Sequence, residues 1–301
     1  MDTRNRSSHS LSGSSLFVSP QELCGRLGRA DAPLLLDVRP PARFDASQRM
    51  IVGAQRCAAA NIAAFAEALV RASPSQEVVT YCVYGHQTST DAARTLRAVG
   101  LNAWALAGGL EGGEDGVDDA NQITQWRLAP PLTMVKREAC GVPSPQASRW
   151  VTRARPKIDR VACPWLIRRF IDPRAQFFYV PTQQVLAEAQ RLQAVAFDIP
   201  GAPFSHEGAR CSFEALIGSF GLQHAALNKL ARMVCGADTD RLDMAPESAG
   251  LLTLSLGLSQ LHEDDHAMLK AAMPMYDALY AWCQSVSTSI WEGTPRETHN
   301  W

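Results

Sequence analysis

The chain has 301 residues, 46% of them hydrophobic, and its 29 basic and 30 acidic side chains leave a net charge of -1. That length accommodates about two ordinary domains, and the neutral balance argues against nucleic-acid partners and bulk adhesion to an anionic membrane. The first fifteen residues are Ser-rich and polar with no apolar h-region, and no run approaches a membrane-spanning length, so a cytoplasmic protein is expected.

Elements alternate through the first part. Pro20 to Leu27 reads as a short helix, Leu34 to Val38 as a buried strand, and Ile62 to Ala72 as an alanine-rich helix. Val78 to Cys82 reads as a strand, Asp91 to Val99 as a helix, and Ala103 to Leu106 as a strand. Such alternation predicts a parallel sheet flanked by helices, whose functional residues stand at the carboxyl ends of strands. Cys82 stands at such an end, in a glycine-containing turn ahead of a helix. Turn amides and the positive end of the helix dipole there favour an ionised sulfur. Ala107 to Gly116 reads as a flexible acidic surface loop. Five prolines between Ala129 and Pro156 mark a linker, giving domains at 16–126 and 151–301 separated by 127–150. The eight cysteines form no C-x-x-C pair, which predicts neither a disulfide framework nor a zinc ribbon.

The second part reads as mainly α-helical, or α+β, and opens with a basic stretch. Residues 151–175 hold seven basic and two acidic side chains, and apolar spacing turns Arg160, Arg168 and Arg169 to one face. Pro164 either kinks that helix or starts it with Cys163 as cap. His206 to Glu214 gathers imidazole, thiol and carboxylates, and with Asp265 and His266 these are zinc or iron ligand types: His206, Cys211, Glu214, Asp265 and His266 are the candidate divalent-metal set. His262 to His266 spells H-E-x-x-H without a recognisable third ligand, which disfavours a metalloprotease. Leu251 to Trp282 reads as helices interrupted at Pro274, with Met273, Tyr276, Leu279 and Tyr280 in the core.

Four ordered landmarks, Leu35-Leu36-Asp37-Val38-Arg39, Val52-Gly53-Ala54, Cys82-x-x-Gly85-x-x-Thr88-Ser89 and Leu106-x-Gly108-Gly109, together resemble a rhodanese domain. The resemblance implies an α/β fold and sulfur transfer. Cys82 would be the nucleophile taking a sulfane sulfur from a small donor anion and passing it to a thiophilic acceptor, with no cofactor required. It further implies an anion cradle over Val83, Tyr84, Gly85, His86, Gln87 and Thr88, with the Thr88 hydroxyl on the sulfur, and a bracing role for Asp37 and Arg39. This loop lacks Arg and Lys, so weak turnover of a dianion such as thiosulfate is expected. Phosphatases on this fold carry arginine where Thr88 stands, which disfavours phosphate monoester hydrolysis.

His206-Glu207-Gly208-x-x-Cys211-x-Phe213-Glu214, Gly236 to Thr239, Ala245 to Leu251, Asp264-Asp265-His266 and Tyr276 to Tyr280, with the basic opening, resemble the C-terminal domain of the ChrB chromate-resistance family. That resemblance implies protection from chromate, a tetrahedral dianion suited to a cluster of Lys157, Arg160, Arg168 and Arg169. Three readings follow: a sulfurtransferase coupled to an oxyanion- or metal-binding domain, a non-catalytic oxyanion sensor using the first domain as scaffold, and a metal-dependent enzyme in the second.

Overall fold

The computed structural model describes residues 15–292, with side chains through 286; the Ser-rich start of the chain lies outside the described residues. The chain forms two compact units. One holds the described residues through Leu27 with Asp31–Ser47 and Ala54–Pro131; the other holds Gly28–Ala30, Gln48–Gly53 and the described chain from Leu132 on.

In chain order the elements begin with β1 (Phe17–Val18), α1 (Pro20–Cys24), β2 (Leu34–Asp37), α2 (Pro41–Ala46), β3 (Arg49–Ile51), β4 (Gln55–Arg56), α3 (Ile62–Ala72), β5 (Glu77–Tyr81), α4 (Gln87–Ala98), β6 (Asn102–Leu106) and α5 (Ala120–Leu128). Five of these strands form an all-parallel sheet in the order β1-β6-β5-β2-β4. Leu36, Val78 and Ala103 on one face of it pack with Ile62 and Ala66 of α3 and with Ala92 and Leu96 of α4. Each buried Leu, Ile or Val side chain among them contributes about 1.5–3 kcal/mol. Asp37 and Arg39 do brace the first unit: Arg39 Nη2 donates to Asp37 Oδ2 at 2.6 Å with both side chains buried, and the Tyr81 hydroxyl donates to the same oxygen at 2.9 Å.

The glycine-rich segment after β6 is packed rather than loose. A Cβ on Gly108 would lie 2.8 Å from the Trp126 ring, and one on Gly113 2.9 Å from Ile123 and Trp126. The sequence reading missed α5 because its apolar face is short: Ile123 is its one buried residue, and Asp119 caps it by accepting from the Asn121 and Gln122 amides. Residues 127–150, expected as a linker, carry the end of α5 and the strand β7 (Thr133–Val135), which pairs antiparallel with β3.

The second unit continues with β8 (Arg149–Arg153), α6 (Asp159–Leu166), β9 (Gln176–Val180), α7 (Val185–Leu192), β10 (Val195–Ala196), α8 (Ser212–Ser219), α9 (Ala225–Asp238), α10 (Ser248–Leu261) and α11 (Asp265–Glu292). It is helix-rich, and β10, β8 and β9 form a parallel sheet, so of the two alternatives, all-α and α+β, the second holds. Val151, Ala196 and Ile199 pack there with Val185 and Ala189 of α7. Trp165 is fully buried among Phe170, Phe213, Tyr276 and Tyr280. Pro164 lies inside α6, which runs on into a π-helical turn over Ile167–Ile171, so Cys163 is an interior helical residue and not a cap. Pro274 likewise sits within α11, which is continuous where an interruption was expected.

Candidate functional site

Cys82 leaves the end of β5, the central strand of the sheet, and lies 5% exposed. Its Sγ is 3.2 Å from Ser89 Oγ, and Ser89 Oγ donates to the His86 carbonyl at 3.1 Å. Ser89 is the third residue of α4, so the sulfur stands against the first turn of that helix, where the dipole favours negative charge. The hydroxyl on the sulfur is therefore Ser89, one position beyond the Thr88 that the motif pointed to. Helical geometry explains the shift: the buried face of α4 carries Ser89, Ala92, Ala93 and Leu96, while Thr88 is only half-buried.

The loop is locked by backbone against backbone. Gly85 has φ 80°, and a Cβ there would come within 2.7 Å of the Leu106 carbonyl and 2.8 Å of the Gly108 and Gly109 amides. Gly109 reciprocates, since its Cβ would lie 2.4 Å from the Gly85 nitrogen. The amides of Leu110 and Glu111 donate to the carbonyls of Cys82 and Val83 at 3.0 and 2.9 Å. His86 at the helix start holds Asp118 at 2.9 Å and faces Glu114 at 3.5 Å. Burial raises the Asp118 carboxyl, but the Glu114 amide and His86 outweigh it and hold the group below its ordinary range.

Beside the loop is a cleft of about 730 Å³ lined by Val83 and Tyr84, by Arg39, Arg43 and Arg127, and by Glu111, Glu114 and Asp115. These guanidinium groups come from α2, α5 and the β2 end, remote in sequence, and reasoning from the loop alone missed them. Arg127 is bound by Asp115 at 3.0 Å. Three guanidinium groups and three carboxylates thus share the cleft.

In the second unit the structure divides the candidate metal set. His206 Nε2 lies 3.1 Å from Asp238, 3.4 Å from Asp198 and 3.5 Å from Asp159. Cys211 and Glu214 instead gather with Cys235, and the Glu214 carboxylate accepts from the Cys211 amide at 3.3 Å as the cap of α8. Burial pushes the Cys211 thiol far up. Asp265 accepts from the Arg155 amide at 3.2 Å, and the His266 ring meets Tyr179 edge-on at 5.4 Å. The five residues thus do not converge, and the H-E-x-x-H run straddles the break between α10 and α11.

The expected cluster of Lys157, Arg160, Arg168 and Arg169 is also not a single anion site. Arg160 reaches Asp198 at 3.3 Å and donates to the Ala154 carbonyl at 3.0 Å. Arg168 lies over the Phe177 ring and donates to the Ala175 carbonyl at 3.4 Å. Arg169 is bidentate on Asp277, both contacts 2.8 Å, where Trp165 Nε1 also donates. Lys157 is exposed. A basic sequence stretch here serves internal pairing, because half-buried guanidinium groups require acceptors.

Residues 19–115 match the family described as a rhodanese-like domain, and residues 150–283 match ChrB, C-terminal domain. The chain joins these two domains. Protein ChrB of Cupriavidus metallidurans is 38% identical over 136 residues, covering 45% of this chain, and the chain spans only 40% of that relative's length. A rhodanese-like domain protein from Staphylococcus aureus is 19% identical over 35% of this chain and 97% of its own, with a TM-score of 0.29. A yeast protein tyrosine phosphatase of the rhodanese family is 18% identical over 32% of this chain and 83% of its own, with a TM-score of 0.26. The rhodanese-like domain contains the Cys82 loop and its cleft; the ChrB domain contains the Asp159, Asp198, Asp238 and His206 cluster. Among the described residues no helix is long and apolar enough to cross a membrane.

Proposed function

We propose that the protein is a sulfurtransferase in which Cys82 carries a sulfane sulfur as a persulfide, coupled through its ChrB domain to chromate resistance. The observation that carries the reading is the Cys82 sulfur held against the first turn of α4 with the Ser89 hydroxyl 3.2 Å away. In the first half-reaction the thiolate attacks the outer sulfur of the donor. A Cys82–S bond forms as the donor's bond to that sulfur breaks, and the electron pair leaves with the remainder, sulfite in the case of thiosulfate. In the second, an acceptor thiolate attacks the outer sulfur and Cys82 departs as thiolate. Both halves conserve atoms and need no external redox partner.

The loop's polar groups are backbone amides, His86 and Gln87, and the neighbouring cleft carries carboxylates beside its arginines. A donor carrying a single negative charge, such as 3-mercaptopyruvate, suits it better than a dianion. The absence of arginine and lysine within the loop itself disfavours phosphoryl transfer, where an arginine normally clamps the transferring group.

The test is steady-state transfer to a thiol or cyanide acceptor from thiosulfate, 3-mercaptopyruvate and polysulfide, for the wild type and Cys82→Ser. Turnover dependent on Cys82, lower with thiosulfate than with 3-mercaptopyruvate, is expected. No Cys82-dependent turnover with any donor moves the domain to a scaffold in an oxyanion-responsive sensor.

A further inference from the structure

We propose that Asp159, Asp198, Asp238 and His206 of the ChrB domain bind a divalent first-row transition-metal cation. Four parts of the unit deliver these side chains: the first residue of α6, the segment after β10, the last residue of α9, and the loop before α8. Single ligand atoms of Asp159, Asp198 and His206 lie within 4.8 Å of one another, and Asp238 Oδ2 is 3.1 Å from the same His206 nitrogen.

Convergent carboxylates alone would be a weak argument. The deciding observation is Asp159, whose side chain is 1% exposed and whose Oδ1 meets no nitrogen or oxygen donor, with the Cys211 thiol beside the carboxylate. Its other oxygen, Oδ2, is the one that faces His206 Nε2, at 3.5 Å, and it also accepts from the Ser212 amide at 2.6 Å. A buried carboxylate with an unsatisfied oxygen needs either a proton or a cation. The nearby guanidinium groups do not supply one to it: Arg153 and Arg160 both engage Asp198, at Oδ2, at 3.0 and 3.3 Å. That leaves the face of Asp198 Oδ1, Asp238 Oδ2 and Asp159 to His206, which is 41% exposed and opens the cluster to solvent. The carboxylates are also oriented from behind, as ligands generally are. Ser212 Oγ donates to Asp198 Oδ1 at 2.7 Å, and the Asp159 amide donates to Asp238 Oδ1 at 3.4 Å.

The donor set is three carboxylates and one imidazole with no thiolate. It is harder than a zinc–cysteine site, and its nitrogen distinguishes it from an all-oxygen calcium cage. Manganese(II) and iron(II) match that mixture. This inference does not depend on the sulfur chemistry of Cys82.

The test is isothermal titration of manganese(II) into full-length protein freed of metal by chelating resin, with electron paramagnetic resonance of bound manganese as a second readout. One saturable equivalent is expected. His206→Ala, a half-exposed change whose folding is checked by circular dichroism, and Asp238→Asn should each abolish it. Ser212→Ala, which removes only an orienting hydroxyl, should weaken it by about tenfold. Absence of saturable binding to wild type overturns the proposal. Binding that is unchanged in His206→Ala, or lost in Cys211→Ser instead, overturns it too and moves the metal to the Cys211, Glu214 and Cys235 group.

Discussion

The Ser89 hydroxyl bridges the Cys82 sulfur and the His86 carbonyl, at 3.2 and 3.1 Å, and so ties that sulfur to the start of α4. Replacing Ser89 by alanine removes one hydrogen bond, about 0.5–1.5 kcal/mol, from the sulfur's surroundings. Sulfur transfer by Ser89→Ala should fall by roughly two- to tenfold, while Thr88→Ala should stay close to wild type. Steady-state rates of the two variants, side by side, decide which hydroxyl matters.

Gly85→Ala should be far more damaging than its size suggests. The φ of 80° costs an L-residue about 1–2 kcal/mol. The added methyl would also meet the Leu106 carbonyl at 2.7 Å, and overpacking of this kind costs about 1–3 kcal/mol more. Urea unfolding followed at the rhodanese-like domain should show a lower midpoint with an unchanged slope.

Arg39→Met should leave the buried Asp37 side chain without the guanidinium that binds it at 2.6 Å. Desolvation lowers the Arg39 pKa, but hydrogen bonding and attraction from Asp37 more than reverse this, so the guanidinium is held charged. Removing one partner of such a pair costs about 3–5 kcal/mol. A loss below about 1 kcal/mol in equilibrium unfolding would contradict the bracing role.

Asp118 predicts a pH effect of defined sign. Its folded carboxyl titrates below the ordinary value of 3.8, so ionisation stabilises the fold. That stability is fully present above the ordinary value and is lost as pH falls through the folded one. Thermal unfolding of wild type and Asp118→Asn should therefore differ at neutral pH and converge below about pH 3.8; a difference that grew on acidification would reverse the assignment.

Asp277→Ala separates a structural from an anion-binding role for Arg169. It removes the acceptor shared by Arg169 and Trp165 Nε1, and leaving such groups unpaired costs about 1–3 kcal/mol. The expected readout is a lower unfolding midpoint of the ChrB domain with no gain in chromate binding by equilibrium dialysis.

The parallel sheet was legible because Leu34 to Val38, Val78 to Cys82 and Ala103 to Leu106 are apolar runs bounded by helical periods, as strands buried on both faces must be. The position of Cys82 followed from the same pattern. What escaped were elements whose signal is tertiary: α5 buries only Ile123, and the glycines of 108–113 are held by Trp126, distant in sequence. In the ChrB domain, His206 was visible as a ligand type, but its partners Asp159, Asp198 and Asp238 lie 47, 8 and 32 positions away along the chain. Local spacing therefore favoured Cys211 and Glu214, which the fold uses as a helix cap.

The most direct test of the sulfur-carrier assignment is intact-mass analysis of wild type and Cys82→Ser after incubation with thiosulfate, 3-mercaptopyruvate or a polysulfide, with a dithiothreitol control. A gain of one sulfur atom, reversed by dithiothreitol and confined to wild type, is the predicted result. A sulfur adduct that persists in Cys82→Ser, or no adduct with any donor, would contradict it.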